Sequence, residues 1–454
     1  MERSSVGVSG PHLSGKRAIV VGLGASGRAA VALLRSRGAH VVATDNMSPE
    51  KLSDEAKSLD CELVLGGHEG VDWAGSDLIV VSPGVPPFAD LEIAARAGVE
   101  VIGETELASR YIDVPICAVG GTNGKSSATV LLGHLLEASE RRIFLGGNLG
   151  EPACEAPDQE MELVVFEVSS FQMERVPTFR PHVALLLNVS EDHLDRYDDF
   201  GAYVQAKGNC FANQTENDFS IYLHGATSCQ DQVSRGKGRQ ITFGGEGDYF
   251  IDGREIVERE TGIRFDLSSS DLHGGHNYLN GAAAIAAART LGASVDDIAE
   301  GLRRFRALPH RMALAGRYQG VHYYDDSKAT NVGAAVTALR GLVEEKGVLL
   351  AGGRDKLGSY DELVAALRLK GRGVILLGEA APRLAAAIGD IVPVEIAKTM
   401  QGAVLRASRM AQEGNAVLLS PACSSLDMFK NYSDRGERFT QAVADLSDRL
   451  PEEH

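Results

Sequence analysis

Short apolar runs alternate with Ala- and Leu-rich stretches along the whole chain, and this alternation leaves few folds open. Runs such as Arg17–Val21 and Ile116–Val119 have the length of strands, and each precedes a stretch with helical spacing. The pattern is typical of α/β proteins with largely parallel sheets. The chain has 454 residues, enough for about three domains of roughly 150 residues each.

We predict domain boundaries near residues 105 and 308. Residues 1–105 then form a Rossmann-like domain with a parallel sheet, and residues 106–308 form a central domain. Residues 309–454 form a second Rossmann-like domain at the C-terminal end. The stretch from about Gly225 to Ser270 is rich in Gly, Ser and short strands, so we expect a small antiparallel excursion there.

The composition excludes several classes of function. The formal net charge of −17 argues against a nucleic-acid binder or a membrane-surface protein, since both need a positive field. The six cysteines contain no CxxC pair and are typical of reduced thiols. Residues 1–16 contain no apolar stretch of the length expected for a signal peptide, and the longest apolar runs are far shorter than a membrane span. We therefore expect a cytoplasmic protein without nucleic-acid or membrane partners.

A first glycine motif, Gly22–Gly27, lies between a predicted strand and a predicted helix, and Asp45 ends the next strand. Glycines let a backbone approach a pyrophosphate at a helix N-terminus, and an acid at this spacing can hold a ribose hydroxyl. The motif indicates a nucleotide-like ligand without specifying which one. A tight structural turn is the alternative.

A second glycine motif, Gly120–Ser127, follows the strand Ile116–Val119 and precedes a helix. Backbone N–H groups in such a loop hold phosphates, the lysine reaches the terminal phosphates, and the serine hydroxyl can ligate Mg²⁺. Counted from Gly120, the loop is one residue shorter than the standard pattern. We predict that it binds ATP or GTP.

Polar residues follow several strands at the edge where ligands bind in open α/β sheets. Glu167 follows Leu163–Phe166, and Asn188 and His193 follow Val183–Leu187. Beside a phosphate loop, a carboxylate and an imidazole suit Mg²⁺. The alternatives are a helix cap or a solvated acid for Glu167 and a structural role for His193. Lys207 lies in a predicted helical stretch, and composition alone favours the interpretation that it is an exposed lysine.

Two further clusters lie near the C-terminal end. His310 and Arg311, together with the segment 325–331, could bind a second face of a nucleotide or could belong to a capped helix start. The serine-rich segment 420–429, together with Lys356, suggests a small anionic ligand.

Taken in order, the motifs resemble those of the Mur ligases from Gly22 to Gly436. The matching segments are Gly-Thr-Asn-Gly-Lys-Ser, Phe-Glu-Val-Ser-Ser-Phe-Gln, Asn-Val-Ser-Glu-Asp-His-Leu-Asp-Arg-Tyr, His-Asn-Tyr-Leu-Asn, Pro-His-Arg, Asp-Asp-Ser-Lys-Ala-Thr-Asn and Ser-Pro-Ala-Cys-Ser-Ser-Leu-Asp. The last of them is typical of the members that add D-glutamate. The resemblance implies a UDP-binding domain, a central P-loop-type ATPase domain and a C-terminal domain that closes over ATP and binds the amino acid.

The resemblance also implies the reaction. The family joins an amino acid to a UDP-linked acid through an acyl phosphate, with ATP and two Mg²⁺ ions. UDP-N-acetylmuramoyl-L-alanine and D-glutamate are the implied substrates, in the cytoplasmic stage of peptidoglycan synthesis, and a monomer is expected. The alternatives are another amino-acid-adding Mur ligase and, from a different class, an NAD-dependent oxidoreductase based on the first glycine motif.

Site residues are carried over from the family position by position. Those implied to contact ATP are Thr122, Asn123, Gly124, Lys125, Ser126, Ser127, Asn277, Asn280, Arg311, Asp326 and Lys328. Those implied to bind the UDP-linked substrate are Gly24, Ser26, Asp45, Asn46, Asn148 and His193. Those implied to hold D-glutamate are Thr330, Lys356, Ser425 and Tyr432. Those implied to bind metal are Ser126, Glu167, His193 and Lys207, the last as a carbamate. Those implied to be catalytic are Lys125, Glu167, His193 and Lys207. Ser127 and Tyr432 depart from the more usual Thr and Phe.

Overall fold

A computed structural model of the chain describes residues 10–272, 274–306, 308–356 and 358–449. Residues 1–9, at the start of the predicted first domain, lie outside these ranges, as do residues 450–454 at the end of the predicted third domain. Within these ranges, no helix is both long and apolar enough to span a bilayer. The described chain forms two compact units. The first unit comprises the residues up to Val189 with Gly201–Ser270 and Asn277–Phe305, and the second comprises Ser190–Phe200, Asp271–His276 and the residues from Arg306 onward.

The first sheet belongs to the first unit and is parallel throughout. Its strands are β1 Arg17–Val21, β2 His40–Asp45, β3 Glu62–Leu65, β4 Leu78–Val81 and β5 Glu100–Gly103. The helices of this region are α1 Ala25–Ser36, α2 Asp54–Lys57, α3 Ala89–Arg96 and α4 Glu104–Ser109, with a 3-10 helix at Pro49–Lys51. The strand order is β3-β2-β1-β4-β5. The predicted Rossmann-like sheet is confirmed.

The first glycine motif is built by close packing of helix α1 on the end of β1. Residues Ala18–Val21 are buried, as expected for a strand covered on both faces. A Cβ atom on Gly27 would lie 1.8 Å from the carbonyl oxygen of Gly22, so no other residue fits there without moving the backbone. The glycine therefore sets how closely the helix approaches the turn.

The second sheet also belongs to the first unit. Its strands are β6 Ile116–Gly120, β7 Ile143–Gly147, β8 Leu163–Glu167, β9 Val183–Leu186, β10 Phe219–Leu223, β11 Arg239–Phe243, β12 Tyr249–Asp252, β13 Glu255–Glu258 and β14 Arg264–Asp266. The order is β14-β13-β12-β11-β10-β9-β6-β8-β7. The helices of this region are α5 Lys125–Glu137, α6 Phe200–Gly208, α7 Thr227–Val233, α8 Gly275–Thr290 and α9 Val295–Arg304, with 3-10 helices at Ala153–Asp158 and Gln172–Arg175.

The predicted antiparallel excursion is only partly correct. Strands β12, β13 and β14 pair antiparallel, but β11 continues the parallel sheet beside β10. Strand β6 lies between β8 and β9, so the loop that follows β6 emerges in the interior of the sheet. Residues Gly281–Ala288 of helix α8 are buried, as the almost purely apolar sequence of this run indicates.

The third sheet belongs to the second unit. Its strands are β15 Ala313–Tyr318, β16 Val321–Asp325, β17 Gly347–Gly352, β18 Gly371–Leu377, β19 Val394–Ile396 and β20 Ala416–Leu419. The order is β15-β16-β20-β17-β18-β19, and the β15–β16 pair is antiparallel while the others are parallel. The helices of this region are α10 Val332–Arg340, α11 Asp361–Lys370, α12 Ala381–Ile388, α13 Met400–Met410 and α14 Tyr432–Arg449. The α/β class with Rossmann-like sheets at both ends is confirmed.

Candidate active site

The second glycine motif forms a tight loop between β6 and α5. Gly121 and Gly124 have φ angles of 143° and 85°, a region that favours glycine. A Cβ atom on Gly124 would lie 2.2 Å from the side-chain oxygen of Asn280. Asn280 in turn lies 3.4 Å from the Asn277 side chain, so both predicted ATP-binding asparagines of helix α8 are beside this loop.

Asn188 holds the loop from the adjacent strand β9. Its carbonyl oxygen accepts the backbone N–H of Thr122 at 2.9 Å. Its side-chain oxygen accepts the N–H of Asn123 at 2.9 Å, and its side-chain nitrogen donates to the Asn123 carbonyl at 3.0 Å. The sequence places Asn188 at a strand end but does not reveal this pairing, because the partners are 65 residues apart.

Two lysines converge on the same loop. The Nζ atom of Lys125 donates to the carbonyls of Gly121 and Thr122 at 3.0 and 2.9 Å. The Nζ atom of Lys207 donates to the Gly121 carbonyl at 2.8 Å and lies 4.6 Å from the centre of the Tyr203 ring. Lys207 is buried, so its interpretation as an exposed lysine is wrong. Two positive charges therefore lie against the glycine loop.

Glu167 ends strand β8, opposite Val119 of strand β6. One carboxylate oxygen accepts a hydrogen bond from the side-chain nitrogen of Asn148 at 2.6 Å. The other oxygen, Oε2, is buried and has no hydrogen-bond partner. A buried carboxylate with one unsatisfied oxygen carries an energetic penalty that a cation would remove.

A cation at Glu167 would need further oxygen ligands. In the described part of the chain, no group of three or more His, Cys, Asp or Glu side chains is arranged to hold a metal ion. Mg²⁺ commonly takes one or two protein carboxylates and completes its shell with phosphate oxygens and water. The residues present therefore fit a magnesium ion that binds together with a nucleotide. Ser126, a predicted ligand, is buried at the start of helix α5.

A cleft of about 730 Å³ opens beside the first glycine motif. The predicted substrate-binding residues that line it are Gly24, Ser26, Asp45, Asn46 and Asn148. His193, the remaining predicted residue for this substrate, belongs to the second unit. The carboxylate of Asp45 accepts the backbone N–H groups of Leu23 and Met47 at 2.7 and 2.8 Å, so it orders the walls of the cleft.

Aromatic residues in the cleft were missed by sequence reasoning. His68 and Phe88 line it, and their rings stack with centres 5.0 Å apart and planes within 7°. Trp73 packs edge-on against both rings. These residues lie in loops, 5 to 20 positions apart and with no periodic pattern, so the sequence carries no local signal for the cluster.

In the second unit, several predicted nucleotide-binding residues gather where β16 ends. Asp326 is buried and accepts a hydrogen bond from the hydroxyl of Ser420 at 2.9 Å. Burial raises the pKa of Asp326 to about 7, and the charge of Arg311 opposes that rise. The Nζ atom of Lys328 lies 3.9 Å from the centre of the Tyr432 ring. The structure therefore groups Arg311 with Asp326, and Lys328 with Tyr432.

The predicted D-glutamate residues do not all line one cavity. Lys356 donates to the carboxylate of Asp192 at 2.7 Å and lines a small cavity there. Tyr432 instead packs on Lys328, and Ser425 is buried at the turn after β20. Thr330 is half-buried just before helix α10. Asp192 was not predicted, because a carboxylate in a loop gives no sign of its partner 164 residues away.

Family models match three successive parts of the chain. "Mur ligase MurD-like, N-terminal domain" matches residues 16–103, "Mur ligase middle domain" matches residues 119–288, and "Mur ligase, glutamate ligase domain" matches residues 310–423. A relative from Desulfosudis oleivorans is 42% identical over 448 residues, which cover 95% of this chain and 97% of the relative. The chain belongs to the Mur ligase family.

Two more comparisons extend this result. A second relative, from Trichlorobacter lovleyi, is 40% identical over 96% of this chain and 100% of the relative. Both relatives are named UDP-N-acetylmuramoylalanine--D-glutamate ligase. The solved MurF ligase of Thermotoga maritima, in complex with ADP, is 18% identical with a TM-score of 0.60. The match covers 95% of each chain, so this ligase has the same three-domain fold.

Proposed function

We propose that this chain is an ATP-dependent ligase that joins D-glutamate to UDP-N-acetylmuramoyl-L-alanine in peptidoglycan synthesis. Relatives that are 42% and 40% identical over nearly the whole chain bear the name of that enzyme. The reaction forms one amide bond and converts ATP to ADP and phosphate.

One observation carries the ATP-dependent part of the proposal. The buried Oε2 atom of Glu167 has no hydrogen-bond partner. Glu167 ends strand β8, and β8 pairs directly with β6, the strand that leads into the glycine loop. The Nζ atoms of Lys125 and Lys207 both contact that same loop. The cation of a bound triphosphate would satisfy the lone oxygen, and the phosphates would place negative charge beside the Lys125 ammonium group.

The proposed chemistry activates an acid that is otherwise a poor electrophile. An oxygen of the L-alanine carboxylate attacks the γ-phosphorus of ATP, and ADP leaves as the acyl phosphate forms. The amine nitrogen of D-glutamate then attacks the acyl carbon and loses a proton, and inorganic phosphate leaves as the C–N bond is completed. The charge that gathers on the transferred phosphoryl group is what Lys125 would stabilise.

Magnesium is proposed as the resident cation, with Glu167 and Ser126 among its ligands in the first unit. When bound, it would neutralise charge on the phosphate oxygens. The second ion, the ligation by His193 and the carbamate on Lys207 are proposals from the family resemblance. A carbamylated Lys207 keeps one N–H, which can still donate to the Gly121 carbonyl that the amine now contacts.

The cleft beside the first glycine motif is the proposed site of the UDP moiety. Its volume of about 730 Å³ falls within the range of roughly 300–1,000 Å³ that is typical of small-molecule sites.

The remaining contacts are proposed from the family resemblance. The proposed nucleotide contacts are Arg311, Asp326 and Lys328, and the proposed amino-acid contacts are Thr330, Lys356, Ser425 and Tyr432. Domain boundaries near residues 105 and 308 are also proposed, and the matched ranges 16–103, 119–288 and 310–423 support them. A monomeric, cytoplasmic enzyme is proposed.

The proposal is tested by measuring phosphate release from ATP in the presence of Mg²⁺, UDP-N-acetylmuramoyl-L-alanine and a candidate amino acid. Release should require D-glutamate, and L-glutamate, L-alanine and a diamino acid should give background rates. Lys125→Ala should lower the rate to background while the protein stays folded. Failure of the wild-type enzyme to consume ATP with both substrates present would overturn the proposal, and turnover with another amino acid would assign a different Mur ligase.

A further inference from the structure

Asp192 lies in the segment Ser190–Phe200, which packs as part of the second unit. Its side chain is 7% exposed, and both carboxylate oxygens are used. Oδ1 accepts from Nζ of Lys356 at 2.7 Å and from the backbone N–H of His193 at 2.9 Å. Oδ2 accepts from the side-chain nitrogen of Asn331 at 3.1 Å. A buried carboxylate with this number of donors is fixed in place.

Its partners are held just as firmly. Asn331 caps helix α10, because its side-chain oxygen accepts the N–H of Ala334 at 2.9 Å, and this leaves its side-chain nitrogen facing Asp192. The Lys356 side chain is 17% exposed, so its ammonium group is largely removed from water. A buried ammonium without a counter-charge is strongly unfavourable, and Asp192 supplies that charge.

The ion pair lies at the edge of the third sheet where ligands bind in open α/β folds. Asn331 follows β16, and Lys356 follows β17. A cavity of about 20 Å³, roughly enough for one water molecule, is lined by Asp192, Asn331, Lys356 and Tyr360, among others. Of the predicted amino-acid contacts, Lys356 is the one that lines this cavity within the described residues.

We propose that Asp192 is a positioning residue for the amino-acid substrate, acting through Lys356. This inference rests on the proposed function. A lysine ammonium has three donors, and the bond to Asp192 fixes the direction of one of them. The others are thereby oriented toward a substrate carboxylate before it arrives. Asp192 also keeps Lys356 neutralised while the amino-acid site is empty.

The expected consequence is a defect confined to one of three substrates. Asp192→Asn keeps the shape of the side chain and removes its charge, so Lys356 loses its anchor. We expect the KM for D-glutamate to rise about 30-fold or more, as when a buried charge pair is broken. The KM values for ATP and for the UDP-linked substrate should stay within about twofold. Asp198→Asn, the same change at an exposed position of the same segment, is the matched control.

A double-mutant cycle separates this role from a merely structural one. Because Asp192 acts through Lys356, Asp192→Asn should change the D-glutamate KM little in a Lys356→Met background. Asp192→Glu keeps the negative charge, so it should recover part of the affinity for D-glutamate that Asp192→Asn loses. If Asp192→Asn does not fold, Asp192→Glu takes its place in the cycle. Equal changes in all three KM values, or penalties that multiply in the double variant, would refute the inference. A wild-type enzyme that releases no phosphate would instead refute the proposed function.

Discussion

Replacing Glu104 with Gln should remove a pH dependence from the stability of the first unit. Glu104 begins helix α4 and is 1% exposed. One of its carboxylate oxygens accepts the backbone N–H of Cys154 at 2.8 Å, and the other is buried without a hydrogen-bond partner. Burial raises the pKa of Glu104 to about 7, against the lowering effect of the Cys154 hydrogen bonds.

The sign and size of the effect follow from this raised pKa. Between its usual value of 4.5 and about 7, the folded protein keeps a proton on Glu104 that the unfolded chain releases. The free energy of unfolding therefore falls as the pH rises through this window. At about 1.36 kcal/mol for each pH unit, the total loss is roughly 3 kcal/mol. Glutamine resembles the protonated acid and does not titrate, so the variant should escape the loss.

Urea unfolding at pH 5, 6, 7 and 8 measures this difference. The chain has one tryptophan, Trp73, which packs on Phe88 in the same unit, so its fluorescence reports on the relevant transition. Relative to wild type, Glu104→Gln should gain stability from pH 5 to about pH 7, and the difference should level off between pH 7 and pH 8. Glu100→Gln, at a half-exposed carboxylate, should show no such trend. A wild-type-to-variant difference that stays constant across the four pH values would refute the reasoning.

Three other changes have expected outcomes. Gly124→Ala should raise the KM for ATP about tenfold or more, because its Cβ would meet Asn280 and its φ of 85° disfavours alanine by roughly 1–2 kcal/mol; steady-state kinetics measure this. Lys207→Met should lower kcat about 100-fold or more, and short carboxylates should restore part of the rate if a carbamate is needed; an unaltered kcat would remove the residue from the site. Glu106→Gln should lower the free energy of unfolding by about 3–5 kcal/mol, since this buried carboxylate accepts several hydrogen bonds. Glu100→Gln should cost less than about 1 kcal/mol in the same urea titration.

Elements whose structure depends on local chemistry were predictable from the sequence. The strand Arg17–Val21 has the predicted bounds, and the strand at Ile116 ends one residue later than predicted. A run of buried apolar residues specifies a central strand on its own. The glycine loop was equally predictable. Its turn requires positive φ at Gly121 and Gly124, and only glycine adopts such angles without strain.

Elements that depend on distant partners were not predictable. Strand β15 is half-exposed at a sheet edge, and its sequence ALAGRY lacks both alternation and an apolar run, so only its pairing with β16 identifies it. The burial of Lys207 is of the same kind. A lysine in a helix is usually solvated, and nothing near it in sequence indicates that it contacts a carbonyl 86 residues away.

The first glycine motif shows why a pattern of residues can indicate a nucleotide without specifying which one. The carboxylate of Asp45 accepts two backbone N–H groups, so an acid at this spacing is explained by loop geometry before any ribose is considered. Discrimination has to come from elsewhere in the cleft. Asn148 lines the cleft and donates to Glu167, whose second oxygen is unsatisfied. One side chain from the second sheet thus touches both the cleft and the candidate metal ligand. A dinucleotide-binding domain alone would lack this link through Asn148. The link favours a substrate that extends from the cleft toward the glycine loop after strand β6.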